Sequence, residues 1–189
     1  MAQSEHQLSL PARTENDDDP AVAAILSKAK AKIGMIPNMY ANMANVSGLL
    51  ETYLTGYDAF RVDSDLTPAE QETVLLSISR ANGCTYCMAA HSSVADMAEV
   101  PTAITDALRA GRPVPDAKLD ALAVFTTAMV DTRGLPTRSQ VETFLAAGYT
   151  ETHILQIVLA LAVKTISNYS NHLFHTPVDE VFAGRAWEG

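Results

Sequence analysis

Leu66-Thr67-Pro68-Ala69-Glu70-Gln71-Glu72 and, after one helix length, Asn82-Gly83-Cys84-Thr85-Tyr86-Cys87-Met88-Ala89-Ala90-His91 bound the stretch whose reading decides the fold. Thr67 is set as an N-cap, Pro68 takes the first helical position, where its missing N–H costs nothing, and Glu70 closes a capping box. Val74, Leu75 and Ile78 carry the apolar face of this helix to about Ala81. Asn82-Gly83 then reverses the chain, and a second helix runs from about Cys84 to Met97, so the two form an antiparallel pair.

The same punctuation extends in both directions. Residues 1–20 read as an extended or mobile arm, and Pro20 opens a short helix through Lys30. Ile36-Pro37-Asn38 breaks the chain before the apolar stretch Met39 to Phe60, which Ser47-Gly48 divides into two helices. Beyond Gly111-Arg112-Pro113, the positions Leu119, Leu122, Thr126 and Met129 mark one face of a helix ending before Gly134. Thr137-Arg138-Ser139-Gln140 is a second capping box, its short helix stopped at Gly148. Thr150 begins a long apolar helix toward about His172, with Pro177 at or just past its end. Alternation of period two is hardly seen. The expectation is an all-α, compact multi-helix bundle of about eight helices, with residues 21–189 as a single helical domain. A faint internal echo sets Leu66-Thr67 and Cys84-Thr85-Tyr86-Cys87 beside Tyr149-Thr150 and Ser167-Asn168-Tyr169-Ser170, as a duplicated helix pair would.

Composition narrows the function classes. A chain of 189 residues buries a core without disulfide or metal staples. Its 13 Lys plus Arg against 22 Asp plus Glu, a formal charge of -9, argue against binding to nucleic acid or to an anionic membrane. The polar, acidic start, with Asp17-Asp18-Asp19 read as solvated tail, has no secretory leader pattern. The apolar run Ile154 to Val163 is about half a membrane span and reads as a buried helix. A cytoplasmic protein with reduced thiols is expected.

Cys84 and Cys87 are the only cysteines, so they can bridge only each other within the chain. That bridge would close a tiny loop and stabilise little, which points to chemistry. With Cys84 at the helix start, Cys87 and His91 lie one and two turns along the same face, and the positive helix end favours a thiolate. Counting at about 1.5 Å per residue from the turn puts Cys87 about 6 Å, His91 about 12 Å and Glu72 of the partner helix about 16 Å along the hairpin. A Glu72 to His91 hydrogen bond is within reach, and it would fix the imidazole tautomer and let His91 act as a base toward Cys87. Taken singly these residues have plainer readings: two buried thiols packing as small apolar groups, a satisfied helix histidine, a solvated glutamate beside Glu70. Tyr86 reads as lying off the thiol face and packing a neighbour or subunit, and His172 and His175 as helix-end residues rather than a metal site. Met35, Met39, Met43, Met88, Met97 and Met129 read as gap-filling core.

The run Leu66 to Glu72, the spacing to Cys84, and Ala81 to His91 together resemble the alkylhydroperoxidase D and carboxymuconolactone decarboxylase family, in its peroxidase-related branch. Ala117-Lys118-Leu119, Ala147-Gly148-Tyr149, Asn171-His172 and Thr176-Pro177-Val178-Asp179 share that look, so the resemblance spans roughly residues 20 to 185. It implies an all-helical, cofactor-free peroxidase that assembles into homo-oligomers. It further implies that Cys87 attacks the peroxide to form a sulfenic acid, that Cys84 resolves it to a disulfide, and that His91 and Glu72 relay the proton. An external dithiol, lipoyl-type in the best-studied relatives, would reduce the disulfide. Tyr86 stands where alkylhydroperoxidase D proper has a histidine. Three other functions compete: a zinc-binding module using Cys84, Cys87, His91 and Glu72, a lactone decarboxylase independent of the thiols, and a helical interaction module with a redox switch.

Overall fold

Side-chain caps fix where five of the helices begin. In the computed structural model, which describes residues 4–189, Asp19, Thr67, Asp116, Thr137 and Thr150 each accept a backbone N–H in the first turn of the helix that follows. The order is α1 (Pro20–Ile33), α2 (Asn38–Met43), α3 (Ser47–Asp63), α4 (Pro68–Ala81), α5 (Thr85–Met97), α6 (Thr102–Ala110), α7 (Ala117–Asp131), α8 (Arg138–Ala146) and α9 (Glu151–Phe174), followed by a short 3-10 turn over Glu180–Arg185. No strand occurs among the described residues. The bundle is all-α as the sequence indicates, with one α-helix more than the eight expected. The addition is α6, which follows Pro101 and ends on Gly111 at φ 63°, a left-handed position suited to glycine.

Helix α4 is the axis of the packing. Every residue from Glu70 to Ser79 is buried, and the helix contacts α5, α6, α7 and α9. A helix enclosed on all sides cannot be simply amphipathic, which is why polar Glu72, Thr73 and Ser79 lie inside beside Val74, Leu75 and Ile78. One apolar cluster, with Leu26, Met43, Leu50 and Tyr53, gathers around the thiols. A second holds Phe60, Leu122 and Ile157 with the stacked rings of Phe125, Phe144 and Tyr149. A third joins Leu76 and Met88 to α6 through Ile104 and Leu108.

Two details position the site. A Cβ at Gly56 of α3 would lie 2.9 Å from Val163 Cγ2, so the glycine is what lets α3 and α9 approach so closely. The segment after α9 straps back across α5: Asp179 accepts Tyr86 O–H and, at 3.0 Å, the backbone N–H of Asn38, while Arg185 Nη2 donates to Asp96 at 2.8 Å.

Several expectations are corrected. Tyr86 packs a neighbour, buried against this strap with its ring edge-on to Phe182, but it is not off the thiol face, since it lines the same cavity as Cys87. The duplicated helix pair is absent, since Ser167 lies in the middle of α9 whereas Cys84 sits at a helix junction. Met97 is 71% exposed and no part of the core. Asp17 pairs with Arg13, and Asp19 caps α1, so the acidic run is more than solvated tail. Residues 4–19 carry no helix and hydrogen-bond to the bundle, as in Leu8 N–H to Leu173 O and Arg13 N–H to Ala41 O; residues 1–3 of the expected arm lie outside the described residues.

Candidate active site

The α4–α5 junction delivers the thiols. Cys84 is the N-cap residue of α5, in extended backbone, and its N–H bonds to Ser79 O at 2.9 Å. Cys87 sits in the first turn and His91 one turn further, all three buried. Neither cysteine is engaged in a disulfide.

Opposite them on α4, Glu72 Oε2 lies 3.1 Å from His91 Nδ1, a direct hydrogen bond at the place the hairpin arithmetic indicated. Its other oxygen accepts from Arg61 of α3, which also donates to Tyr57 O–H at 2.7 Å and to Gln71 Oε1 at 3.1 Å. With Nδ1 bonded to the carboxylate, Nε2 of His91 is the free nitrogen. No hydrogen bond joins His91 to Cys87 among the described residues. The two instead share one cavity of about 580 Å³, walled by Tyr40, Tyr53, Tyr57 and Tyr86. A depression of about 600 Å³ elsewhere, bordered by Arg80, Arg112 and Asp120, has neither cysteine nor histidine in its lining.

The third wall comes from α9, and the sequence reading passed over it. Asn171 Nδ2 lies 3.4 Å from Cys87 Sγ and 3.8 Å from Cys84 Sγ, and Ser167 Oγ is 4.0 Å from Cys87 Sγ. One turn before Ser167 stands Lys164, 0% exposed, its Nζ without a hydrogen-bond partner among the described residues. Lys164, Ser167, Asn168 and Asn171 follow helical spacing, so they form one polar stripe facing the thiols. The available signal was a lysine directly after the apolar run ending at Val163, inside a helix that continues. Arg61 and Tyr57 were missed as well, because contacts between α3 and α4 have no sequence spacing to announce them.

The electrostatics separate the two cysteines. Burial pushes the Cys87 thiol up, but the hydrogen bond from Cys84 and the nearby charge of Lys164 outweigh it and hold Cys87 well below the usual thiol value. Cys84 moves the other way, because its hydrogen bond to Cys87 and its burial both favour the thiol. Burial and then Lys164 draw His91 below the ordinary imidazole value against the pull of Glu72, so the ring is neutral. For Glu72, burial favours the acid form, and His91 and Arg61 overcome it. The arrangement therefore favours the thiolate at Cys87, the thiol at Cys84 and the neutral imidazole at His91, with Cys87 and His91 on the wall of one cavity. Among the described residues no group of three or more His, Cys, Asp or Glu is placed to hold a metal ion.

The hairpin that carries these groups falls inside a recognised family segment. Over residues 49–127 the chain matches the carboxymuconolactone decarboxylase family. No curated protein matches by sequence. Among solved structures, an alkylhydroperoxidase AhpD core, a peroxidase-related protein from Ralstonia eutropha JMP134, superposes with a TM-score of 0.80 at 19% identity, covering 95% of this chain and 97% of that one. A peroxidase-related protein from Silicibacter sp. TM1040 gives 0.77 at 20% identity, over 97% of this chain and 96% of that one. The debrominase Bmp8, as a cysteine-to-alanine variant in complex with 2,3,4-tribromopyrrole, gives 0.76 at 14% identity, over 96% and 97%. The AhpD-like resemblance read from the sequence thus recurs in the family segment and in the fold of the whole chain. No single helix among the described residues is long and apolar enough to cross a membrane.

Proposed function

We propose that the protein is a cofactor-free thiol peroxidase in which Cys87 attacks and Cys84 resolves. The observation that carries this reading is the unequal pair itself: a thiolate-favouring Cys87 accepting from a Cys84 thiol, on the wall of a cavity that also holds the Glu72–His91 hydrogen bond. The Cys87 thiolate attacks the peroxide oxygen and the O–O bond breaks, leaving a sulfenic acid and an alkoxide that is protonated to the alcohol. Cys84 then attacks the sulfenic sulfur, water departs, and a Cys84–Cys87 disulfide forms. His91 Nε2 is the base for the Cys84 thiol proton, with Glu72 fixing its tautomer and Arg61 neutralising Glu72. An external dithiol of lipoyl type returns the disulfide to thiols.

Exposed Leu155, Val158, Tyr169 and Leu173 recur at helical spacing along α9 and supply an apolar face for homo-oligomer assembly. Light scattering on the eluted protein measures that assembly. Mass spectrometry after one equivalent of organic hydroperoxide should show loss of two hydrogens in the wild type and a trapped sulfenic acid in Cys84→Ser. Full peroxidase activity in Cys87→Ser would overturn the assignment.

A second reading is favoured by the four tyrosine rings around Cys87, which suit a flat aromatic guest. In it the thiol pair gives two electrons to a small aromatic halide, releasing halide and forming the same disulfide. Bromide release from a bromopyrrole, with no peroxide consumption, would select it over the first.

A further inference from the structure

The mechanism above leaves one charged group unused, and it shares a helix face with the two side chains that touch the Cys87 sulfur. Lys164 is the only buried lysine among the described residues, its Nζ has no hydrogen-bond partner there, and its neighbours along the stripe touch the sulfurs. A buried ammonium without a counter-charge is costly, so the surroundings must hold an anion for it.

The candidates can be counted. Tyr40 from α2, Tyr53 and Tyr57 from α3, and Tyr86, Cys87 and His91 from α5 line the cavity, while Arg61 bonds to Tyr57, Glu72 to His91, and Cys84 shares Asn171 with Cys87. The four tyrosines are pushed up by burial and stay neutral. Cys84 stays a thiol and His91 neutral, Asp179 beyond Tyr86 is engaged by that hydroxyl and by Asn38 N–H, and Glu72 is matched by Arg61. Only the sulfur of Cys87 remains to balance Lys164.

We propose that Lys164 is the counter-ion of the Cys87 thiolate and the proton donor to the alkoxide that leaves when the peroxide bond breaks, so that it alternates between ammonium in the reduced protein and neutral amine in the disulfide form. The proposal rests on the thiol peroxidase reading for its second half only. The balance closes: thiolate, ammonium, Cys84 thiol and ROOH give disulfide, amine, ROH and water. Once the thiolate is consumed, the buried ammonium has no partner, and releasing its proton to the alkoxide removes that penalty. Reduction of the disulfide restores both charges together. His91 then serves the Cys84 proton in the resolving step, because Cys87 has none to give.

Two substitutions separate the halves. Lys164→Met removes the charge while keeping the bulk, and Lys164→Arg keeps a charge that cannot be given up, since guanidinium does not deprotonate in proteins. The pH midpoint for iodoacetamide alkylation of Cys87, followed with thiolate ultraviolet absorbance, is expected to rise by about one unit or more in Lys164→Met. Alkylation at a pH below the wild-type midpoint then falls about tenfold or more. Lys164→Arg should keep a low midpoint yet consume hydroperoxide at least about tenfold more slowly than wild type. An unmoved midpoint in Lys164→Met overturns the counter-ion, and wild-type turnover in Lys164→Arg overturns the donor. The midpoint needs no peroxide, so it stands even if the wild type proves to have no peroxidase activity. Nitrogen NMR of the wild-type lysine gives a check free of substitutions: an ammonium signal from Lys164 in both redox states would also overturn the donor role.

Discussion

Replacing Glu72 by glutamine tests the hairpin and its third helix at once. The side chain is 1% exposed, and its partner Arg61, at 18%, is largely enclosed. Removing one member of a buried ion pair costs about 3–5 kcal/mol, because the survivor stays desolvated without its counter-charge. Arg61 would retain Tyr57 O–H at 2.7 Å and Gln71 Oε1 at 3.1 Å as neutral acceptors, which places the loss near the lower end, about 3 kcal/mol. For a domain of this size that is a fall in Tm of roughly 6–12 °C. Thermal unfolding of the reduced protein at neutral pH, followed by circular dichroism, measures it. Arg61→Met combined with Glu72→Gln should recover much of the loss, because an apolar replacement of both partners leaves no stranded charge. A Glu72→Gln protein melting within about 1 °C of wild type, or a double variant whose losses simply add, would refute the coupling.

Glu72→Gln should also lower peroxide turnover by about a hundredfold, read as kcat in steady-state assays, since His91 loses the group that fixes its tautomer. Stability should fall as pH is lowered from the ordinary thiol value of about 8.5, because Cys87 is held deprotonated in the fold, and fall more steeply below the ordinary histidine value of about 6.5. The unfolded chain binds the proton that buried His91 refuses, and Glu72, ionised in the fold below its usual range, adds to the loss at lower pH; urea titrations across pH 4–8 report the sign. Phe144→Ala, which empties the middle of the Phe125–Phe144–Tyr149 stack, should cost about 3–5 kcal/mol in chemical denaturation and leave Cys87 alkylation unchanged. Gly56→Ala should destabilise by about 1–3 kcal/mol despite alanine's better helix propensity, because the new methyl meets the stiff Val163 side chain; a more stable variant would show that α3 and α9 can part at little cost.

The parts legible in the sequence were those governed by local rules. The capping boxes at Thr67 and Thr137 set helix starts through contacts three residues apart, and both are present; Thr150, legible only as a helix start, forms a third box with His153. The Glu72–His91 contact was legible for a related reason, since a short turn between antiparallel helices fixes their register. What stayed hidden depends on helices distant in sequence. Asn171 reaches Cys84 across 87 positions, and Tyr86 finds Asp179 across 93. Nothing in the spacing of α5 announces either. Helix α6 was missed because the Gly111-Arg112-Pro113 break drew attention to where a helix stops, while Ile104 and Leu108 in front of it carried the apolar face.

The stripe Lys164, Ser167, Asn168 and Asn171 places an amine, a hydroxyl and two amides on a helix face that elsewhere carries Ile157, Ala160 and Val163. Leucine or methionine at those positions would make a better core. The fold therefore carries a standing thermodynamic load at the sulfurs, and this load marks the point of conflict between durability and turnover. A library of this chain selected for heat resistance alone should converge first on apolar residues along that face, giving hardier proteins with silent thiols. A selection that also demands turnover should leave the stripe intact and gather its gains in α7 and α8.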